Sequence, residues 1–317
     1  MGFFAVSSLG TQTSLEIAAC HISLWVLPKP WYQLFGYNFC FDIGLRFRST
    51  EPVRRIRIVF PFDSRQAHAT DLSSIVLDED FSPLIFGRPV TVIEDHVSYD
   101  GPLKGKDRID DRVIAISPEN SSSETVLPEN PGFSIWTIEL SEPTKNDEWT
   151  YIRFRISVKN PWRVWAHKGW GLAKRGAVVD LRICDIRESL LLGHGRSEST
   201  HLVPIKHIFL FLVAPSYFVP NHFSPSLHYS RLLEPKVWEK YLAGLSSHID
   251  GAKFSIHQWR YTDKVEVNVE NPYRAYMDLS REFGREIFFF YVLAIVSLPI
   301  VSHAAEALGR KVWALIF

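Results

Sequence analysis

The stretch FCFDIGLRFR, residues 39–48, alternates apolar and polar side chains over its whole length. Successive side chains of a β-strand point to opposite faces of the sheet, so this spacing predicts a strand with one buried and one solvated face. Asp42, Arg46 and Arg48 would lie on the solvated face. The side chains predicted to be buried are Phe39, Phe41, Ile43, Leu45 and Phe47.

The same period of two recurs on both sides of this stretch. Residues 55–62 repeat it after a short turn, which predicts that the two strands pair antiparallel. In residues 149–158, WTYIRFRISV, apolar side chains alternate with Arg153 and Arg155, which are expected on the solvated face. Further strands are predicted at residues 72–77, 84–93, 133–140, 177–186, 208–213, 254–260 and 264–269, the last two as a hairpin.

One helix interrupts this series of strands, at residues 234–247, where Pro235 marks its start. Many short strands with one helix are typical of a mainly β fold, and we expect an antiparallel β-sandwich-like domain over residues 1–272. The polar loop at residues 117–132 is the best candidate for a sub-domain boundary. A single unit is favoured because the strands on both sides share one pattern.

The C-terminal part of the chain changes character. In residues 273–286, acidic and basic side chains stand three positions apart, which predicts the solvated surface of a helical stalk. Residues 287–305, IFFFYVLAIVSLPIVSHAA, contain no formal charge, which predicts a transmembrane helix followed by a short tail at residues 306–317. The alternative is a buried core helix, because a proline, a serine and a histidine in the last third suit hydrocarbon poorly.

The rest of the sequence bears on the compartment and on the partners. No positive charge precedes the apolar residues of the N-terminus, so no export signal is predicted. One late span then predicts a single-pass membrane protein with a cytosolic domain, and the three cysteines, Cys20, Cys40 and Cys184, fit a reducing compartment. Basic and acidic residues both number 35, and this zero net charge argues against an extended nucleic-acid partner.

A candidate ligand site lies in residues 162–175, WRVWAHKGWGLAKR, where tryptophans and cations interleave. Aromatic faces and cations can stack a base and hold its phosphate, so this segment predicts a site for an anionic small molecule, with a protein ligand as the alternative. The residues concerned are Trp162, Arg163, Trp165, Lys168, Trp170, Lys174 and Arg175. The competing interpretation is that the tryptophans pack against the edge of the sandwich or touch the membrane surface.

A weaker candidate is a metal site formed by His194, His201 and His207, whose spacing matches no compact ligand motif. The sequence has no motif for a dinucleotide, a P-loop or an α/β-hydrolase nucleophile, which weakens an enzymatic interpretation, and no cofactor is predicted.

Two functions therefore remain open. The first is a membrane-anchored sensor, adaptor or effector in signalling or cell defence, in which the span at residues 287–305 localises the domain in the lipid bilayer or assembles a homo-oligomer. The second is a membrane-attached metal-dependent hydrolase that uses residues 194–207.

Overall fold

The structure is a computed structural model of the 317-residue chain. It describes residues 2–7, 15–28, 37–62, 67–100, 108–125, 134–158, 164–170, 175–185, 202–234, 238, 241–242, 253–262, 265–268, 270–281, 292–299, 302–303, 306 and 310.

Within these residues the chain is mainly β-strand. In chain order the strands are β1 (Gly2–Ser7), β2 (Leu15–Pro28), β3 (Tyr37–Ser49), β4 (Arg55–Phe60), β5 (Ala67–Asp71), β6 (Val90–Ile93), β7 (His96–Asp100), β8 (Arg108–Val113), β9 (Ser122–Thr125), β10 (Ser134–Glu139), β11 (Thr150–Val158), β12 (Trp165–Trp170), β13 (Arg175–Ile183), β14 (Ile205–Pro215), β15 (Phe218–Ser224), β16 (Tyr229–Leu233), β17 (Phe254–Tyr261) and β18 (Tyr273–Arg281).

The strands form two mixed sheets. The smaller sheet has the order β15-β18-β13-β1-β4-β10-β9 with β12 paired to β13, and the larger has the order β16-β17-β14-β2-β3-β11-β8-β7-β6 with β5 paired to β11. The pairs β1 with β13, β2 with β14 and β8 with β11 are parallel. The mainly β fold is therefore confirmed, whereas a purely antiparallel arrangement is wrong because strands distant in the sequence meet side by side.

The two sheets pack face to face around a shared hydrophobic core. The rings of Phe41 and Phe62 lie 5.5 Å apart between centroids, and Phe39 lies 5.7 Å from Trp165 of β12, so aromatic side chains from both sheets interlock. The five side chains of β3 that the sequence predicts to be buried all line this core and are at most 6% exposed. The inward face of β3 is thus confirmed.

The opposite face of the larger sheet is covered by a third layer, here called the outer layer. Its described parts pack on β2, β3, β14 and β17 through a second apolar cluster. They are α1 (Ser73–Val76), α2 (Ser82–Phe86) and the helical residues Trp238, Tyr241 and Leu242, which fall within the predicted helix at residues 234–247.

The outer layer overturns the solvated face predicted for β3 and β11. Asp42, Arg153 and Arg155 are each at most 5% exposed, because the outer layer excludes water from this part of the sheet. Both faces of the sheet are therefore buried at these three residues, whereas Arg46 and Arg48 of β3 remain partly exposed as predicted.

Two predicted strand pairings are wrong. β3 and β4 belong to different sheets, because the turn between them carries the chain from one sheet to the other. β17 pairs with β14 and β16, and Val267 forms an isolated bridge with Ile205 instead of completing a hairpin. The strand predicted at residues 72–77 is also wrong, since this segment contains α1. Local alternation identifies a strand but does not identify its partner.

The helical stalk predicted at residues 273–286 is wrong over Tyr273–Arg281, which forms β18 between β13 and β15. Its buried side chains include Ala275, Met277 and Leu279, with a period of two. The charge spacing favoured a helix, but only a strand places these three apolar side chains on one face. Residues 282–286 lie outside the described part of the chain.

Beyond β18, residues 292–299 are helical and all of them are exposed. The buried core helix that was the alternative for residues 287–305 is therefore contradicted over these positions. Across the described residues, no helix is both long enough and apolar enough to cross a bilayer. Of the remaining positions in this range, only residues 302 and 303 are described.

The register of β18 can be tested with two neighbouring substitutions. Met277 is fully buried, so Met277→Ala should lower the free energy of unfolding by about 2 to 5 kcal/mol. Tyr276 is partly exposed on the other face, and Tyr276→Ala should cost about 1 kcal/mol or less. Urea denaturation of both variants measures this difference, and equal losses would contradict the strand.

Candidate functional site

Trp165, one of the three tryptophans of the predicted ligand segment, belongs to the core. It is 3% exposed, and its ring lies 5.4 Å from Phe218 and 6.1 Å from Tyr37 between centroids. Residues 165–170 of this segment form β12, with a register irregularity between Lys168 and Trp170. For Trp165 the structure therefore agrees with the packing interpretation.

The other residues of that segment are only partly described. Lys168 and Trp170 belong to β12, and Arg175 is the first residue of β13. The remaining three, Trp162, Arg163 and Lys174, lie outside the described residues. An anionic ligand at residues 162–175 stays a prediction.

The predicted metal ligands are likewise not brought together in the described part of the chain. His194 and His201 lie outside it, and His207 lies in β14, where it is partly buried. Burial lowers the pKa of His207, and Arg260, Lys206 and Arg46 lower it further. No group of three or more histidine, cysteine or acidic residues that could hold a metal occurs among the described residues, so the metal-dependent hydrolase stays a prediction.

The outer layer covers a cluster of charged side chains that the sequence did not reveal. Asp42 of β3 lies directly opposite Arg155 of β11, and the guanidinium donates from Nε to Oδ1 at 2.6 Å and from Nη2 to Oδ2 at 2.9 Å. Tyr241 of the outer layer donates its hydroxyl proton to Asp42 Oδ2 at 2.6 Å. Burial acts to raise the pKa of Asp42, but Arg155, with Arg153 and Tyr241, holds this pKa below its ordinary value.

Arg153 adds a second guanidinium to this group. Its Nε and Nη2 donate to the Tyr241 hydroxyl at 3.2 and 3.1 Å, and its Nη1 donates to the Tyr151 hydroxyl at 3.2 Å. Among the described residues, no carboxylate lies within hydrogen-bonding distance of Arg153. The buried charge cluster, defined as Asp42, Tyr151, Arg153, Arg155 and Tyr241, therefore holds two cations and one anion.

A glycine makes room for this arrangement. Gly44 of β3 lies opposite Arg153 in the register. A Cβ atom at this position would lie 2.2 Å from the hydroxyl oxygen of Tyr151 and 3.2 Å from Nη1 of Arg153. The close approach of these two side chains to the β3 backbone therefore requires glycine at position 44.

His21 of β2 borders the buried charge cluster. Its Nδ1 lies 3.2 Å from the Tyr151 hydroxyl, and its ring contacts Phe209 at 4.8 Å and Phe86 at 6.5 Å between centroids. Burial, reinforced by the charges of Arg153 and Arg88, lowers the pKa of His21 from 6.5 to about 3. The imidazole is therefore neutral at physiological pH.

The protonation states of this region do not suit acid–base catalysis at neutral pH. Efficient proton transfer needs a group whose pKa lies near the working pH. Burial moves the pKa of His21 below that range and raises the pKa of Tyr151 and of Tyr241. Arg153 and Arg155 stay protonated. The buried charge cluster is thus a fixed arrangement of charges whose donors are already paired within the fold.

The sequence offered only a weak signal for the buried charge cluster. Asp42 and Arg155 carry opposite charges on two strongly alternating strands, which is a pattern that solvated surface pairs also show. Tyr241 falls within the helix predicted at residues 234–247, where the sequence gives no sign of its contact with β3. The outer layer that buries these groups comes from residues remote in the sequence, so local analysis could not bring them together.

No protein-family model matches the chain, and no curated protein matches its sequence. Among solved structures, the M1 zinc metallopeptidase from Deinococcus radiodurans has a TM-score of 0.34 and 11% identity, covering 86% of this chain and 43% of the peptidase. A two-domain M1 zinc metallopeptidase mutant bound to tryptophan has a TM-score of 0.34 and 10% identity, covering 86% of this chain and 44% of the peptidase. This chain spans less than half the length of either protein, and TM-scores this low carry no argument about fold or function.

The contribution of the Asp42–Arg155 ion pair to the stability of the fold can be measured by removing one charge or both. Asp42→Asn leaves two buried guanidinium groups beside a neutral amide, and we expect the free energy of unfolding to fall by about 3 to 5 kcal/mol. Replacing both partners, with Asp42→Leu and Arg155→Met, should lower the free energy of unfolding less than the single change. Only one cation of the buried charge cluster, Arg153, then remains without a carboxylate partner among the described residues, whereas Asp42→Asn leaves two. Urea denaturation measures both, and a double variant that is less stable than the single one would argue against this account.

The neutral His21 makes stability depend on pH. Between pH 6.5 and about 3 the unfolded chain binds a proton at this position that the folded chain does not. The free energy of unfolding should therefore fall as the pH decreases through this window, by up to about 1.4 kcal/mol per pH unit. His21→Gln should flatten this slope between pH 6 and pH 4.5 in urea denaturation, although burial of His257 lowers its pKa to about 4 and leaves part of the slope. Parallel slopes in the two proteins would show that His21 is not responsible.

Proposed function

We propose that the chain is a membrane-anchored binding protein, a sensor, adaptor or effector whose β-rich domain recognises a ligand or a protein partner. The observation that carries this proposal is the exposure of the apolar residues within positions 292–299. Their large apolar side chains are between 42% and 66% exposed. They are Val292, Leu293, Ile295, Val296 and Leu298.

The cost of exposing these side chains to water supports an apolar environment around them. Burial of apolar surface stabilises a protein by roughly 25 cal/mol per Å². Several exposed aliphatic side chains on one short helical segment therefore leave several kcal/mol of this stabilisation unrealised in water. A helix that is apolar on all sides is typical of a protein interior or a membrane. The two sheets already fill their shared core without residues 292–299. A bilayer is the environment that we propose.

Two further features support a cytosolic binding domain. Cys20, Cys40 and Cys184 are all free and buried, which suits a reducing compartment. Burial shifts the pKa of His21, Tyr151 and Tyr241 away from neutral pH, which favours binding over acid–base catalysis as the role of the domain.

The anchor can be tested by alkaline carbonate extraction of membranes from expressing cells. We expect the full chain in the pellet and a chain ending at Glu286 in the supernatant, folded, because every described strand precedes this residue. Leu293→Arg with Val296→Arg should release the full chain, since a cation at the centre of a membrane helix costs about 2.5 to 3.5 kcal/mol.

A matched control separates insertion from general surface hydrophobicity. Ile93 and Leu232 are 56% and 61% exposed on the β-rich domain, so Ile93→Arg with Leu232→Arg changes apolar exposure and charge to a similar extent. This double variant should remain in the pellet. A full chain that is extracted, or a truncated chain that aggregates, would refute the anchor.

A further inference from the structure

The outer layer covers only part of the outer face of the larger sheet. One such row runs across five strands in register through Arg260, Phe209, His21, Gly44 and Arg153. Arg153 lies beneath the outer layer, whereas Phe209 and His21 are partly exposed and Arg260 is exposed. The outer layer therefore ends within this row and leaves a step on the sheet.

The neighbouring row forms the floor of that step. His207, Ala19 and Arg46 lie side by side in register on β14, β2 and β3, and all three are partly exposed. Ala19 has the smallest side chain of the three and lies between the longer side chains of His207 and Arg46. We call this surface the basic ledge, defined by the cations Arg46, Arg48, Lys206 and Arg260 around Ala19.

Aromatic rings hold three of these cations in place. The guanidinium carbons of Arg46 and Arg48 lie 4.1 and 4.7 Å from the ring centroid of Trp149, and that of Arg260 lies 5.5 Å from the ring centroid of Phe209. Such contacts restrict long side chains before any ligand arrives. Cations that are already ordered lose less conformational entropy when they bind an anion.

The carboxylates on the basic ledge do not balance its cations. Glu16 contacts Arg48 and Lys206, and Asp111 contacts Arg46, so two carboxylates face four cations. Arg260 has no carboxylate partner among the described residues. The charges of Arg260, Lys206 and Arg46 also converge on His207, where they add to the effect of burial in lowering its pKa. An excess of positive potential thus covers one small area.

We propose that the basic ledge binds a small soluble polyanion of the phosphate class, with at least two negative charges and the dimensions of a pyrophosphate. The inference rests on the proposed function, because it assigns a ligand class and a site to the binding domain. Guanidinium groups suit phosphate oxygens through paired hydrogen bonds, and Lys206 adds a point charge. The outer layer bounds the ledge on one side, which limits the size of the ligand.

This site can be tested by isothermal titration calorimetry, in which inorganic pyrophosphate is titrated into the full chain in a nonionic detergent. We expect a dissociation constant below about 1 mM. Arg260→Gln with Lys206→Gln should weaken binding at least tenfold, and the melting temperature should change little because exposed cations contribute little to stability. These substitutions leave the Arg46–Asp111 and Arg48–Glu16 ion pairs in place.

Arg231→Gln provides the matched control. Arg231 is an exposed arginine of β16 on the edge of the same sheet, with its guanidinium carbon 6.0 Å from the ring centroid of Tyr229. Its replacement should change the affinity for pyrophosphate by less than twofold. Wild-type protein that does not bind pyrophosphate, or equal weakening in the ledge variant and in the control, would overturn the proposal.

A lipid headgroup is the competing occupant of the basic ledge. The same titration in detergent that contains phosphatidylserine distinguishes the two occupants. Unchanged affinity for pyrophosphate supports a soluble ligand. Loss of pyrophosphate binding shows that the lipid headgroup occupies the basic ledge, and this result would refute a soluble ligand. The carbonate extraction is independent of this result. Failed pyrophosphate binding with intact membrane attachment rejects the ledge alone, and the opposite outcome rejects the anchor alone.

Discussion

The ion pair between Asp42 and Arg155 is the interaction on which the arrangement of the outer layer depends. It lies between the larger sheet and the outer layer, where a charge without a partner would be strongly destabilising. The hydroxyl of Tyr241 completes it by donating to Asp42 and accepting from Arg153, so the outer layer contacts the sheet through a directional interaction. Apolar packing alone would allow this layer to slide, whereas the hydrogen bonds select one position.

The strands themselves could be predicted from the sequence to a large extent. β3, β10, β11 and β17 appear close to their predicted positions, because their apolar and polar side chains alternate with a period of two that is visible locally. β18 was missed, since two charged pairs at helical spacing competed with the alternation of Ala275, Met277 and Leu279. Partners and sheet membership could not be predicted, because they follow from contacts between remote segments.

The candidate sites were less accessible to sequence analysis than the fold. Trp165 was assigned to a candidate ligand site because tryptophans and cations interleave in residues 162–175, yet its ring packs in the core. The residues of the basic ledge lie on four different strands, and the parallel pairing of β2 with β14 is what brings Lys206 close to Arg46 and Arg48. Parallel partners share no turn, so no local motif announces such a surface.

The parallel pairing of β2 with β14 also constrains how the chain can acquire its structure during synthesis. Glu16 and Lys206, which meet across this pair, are 190 positions apart. β1 and β2 lie in the interior of their sheets, and one neighbour of each, β13 and β14 respectively, is synthesised much later. Folds dominated by such distant contacts form slowly, and unpaired apolar strands are prone to aggregation in the meantime. Nascent chains of this protein should therefore be clients of chaperones that shield strand edges until β13 and β14 have emerged.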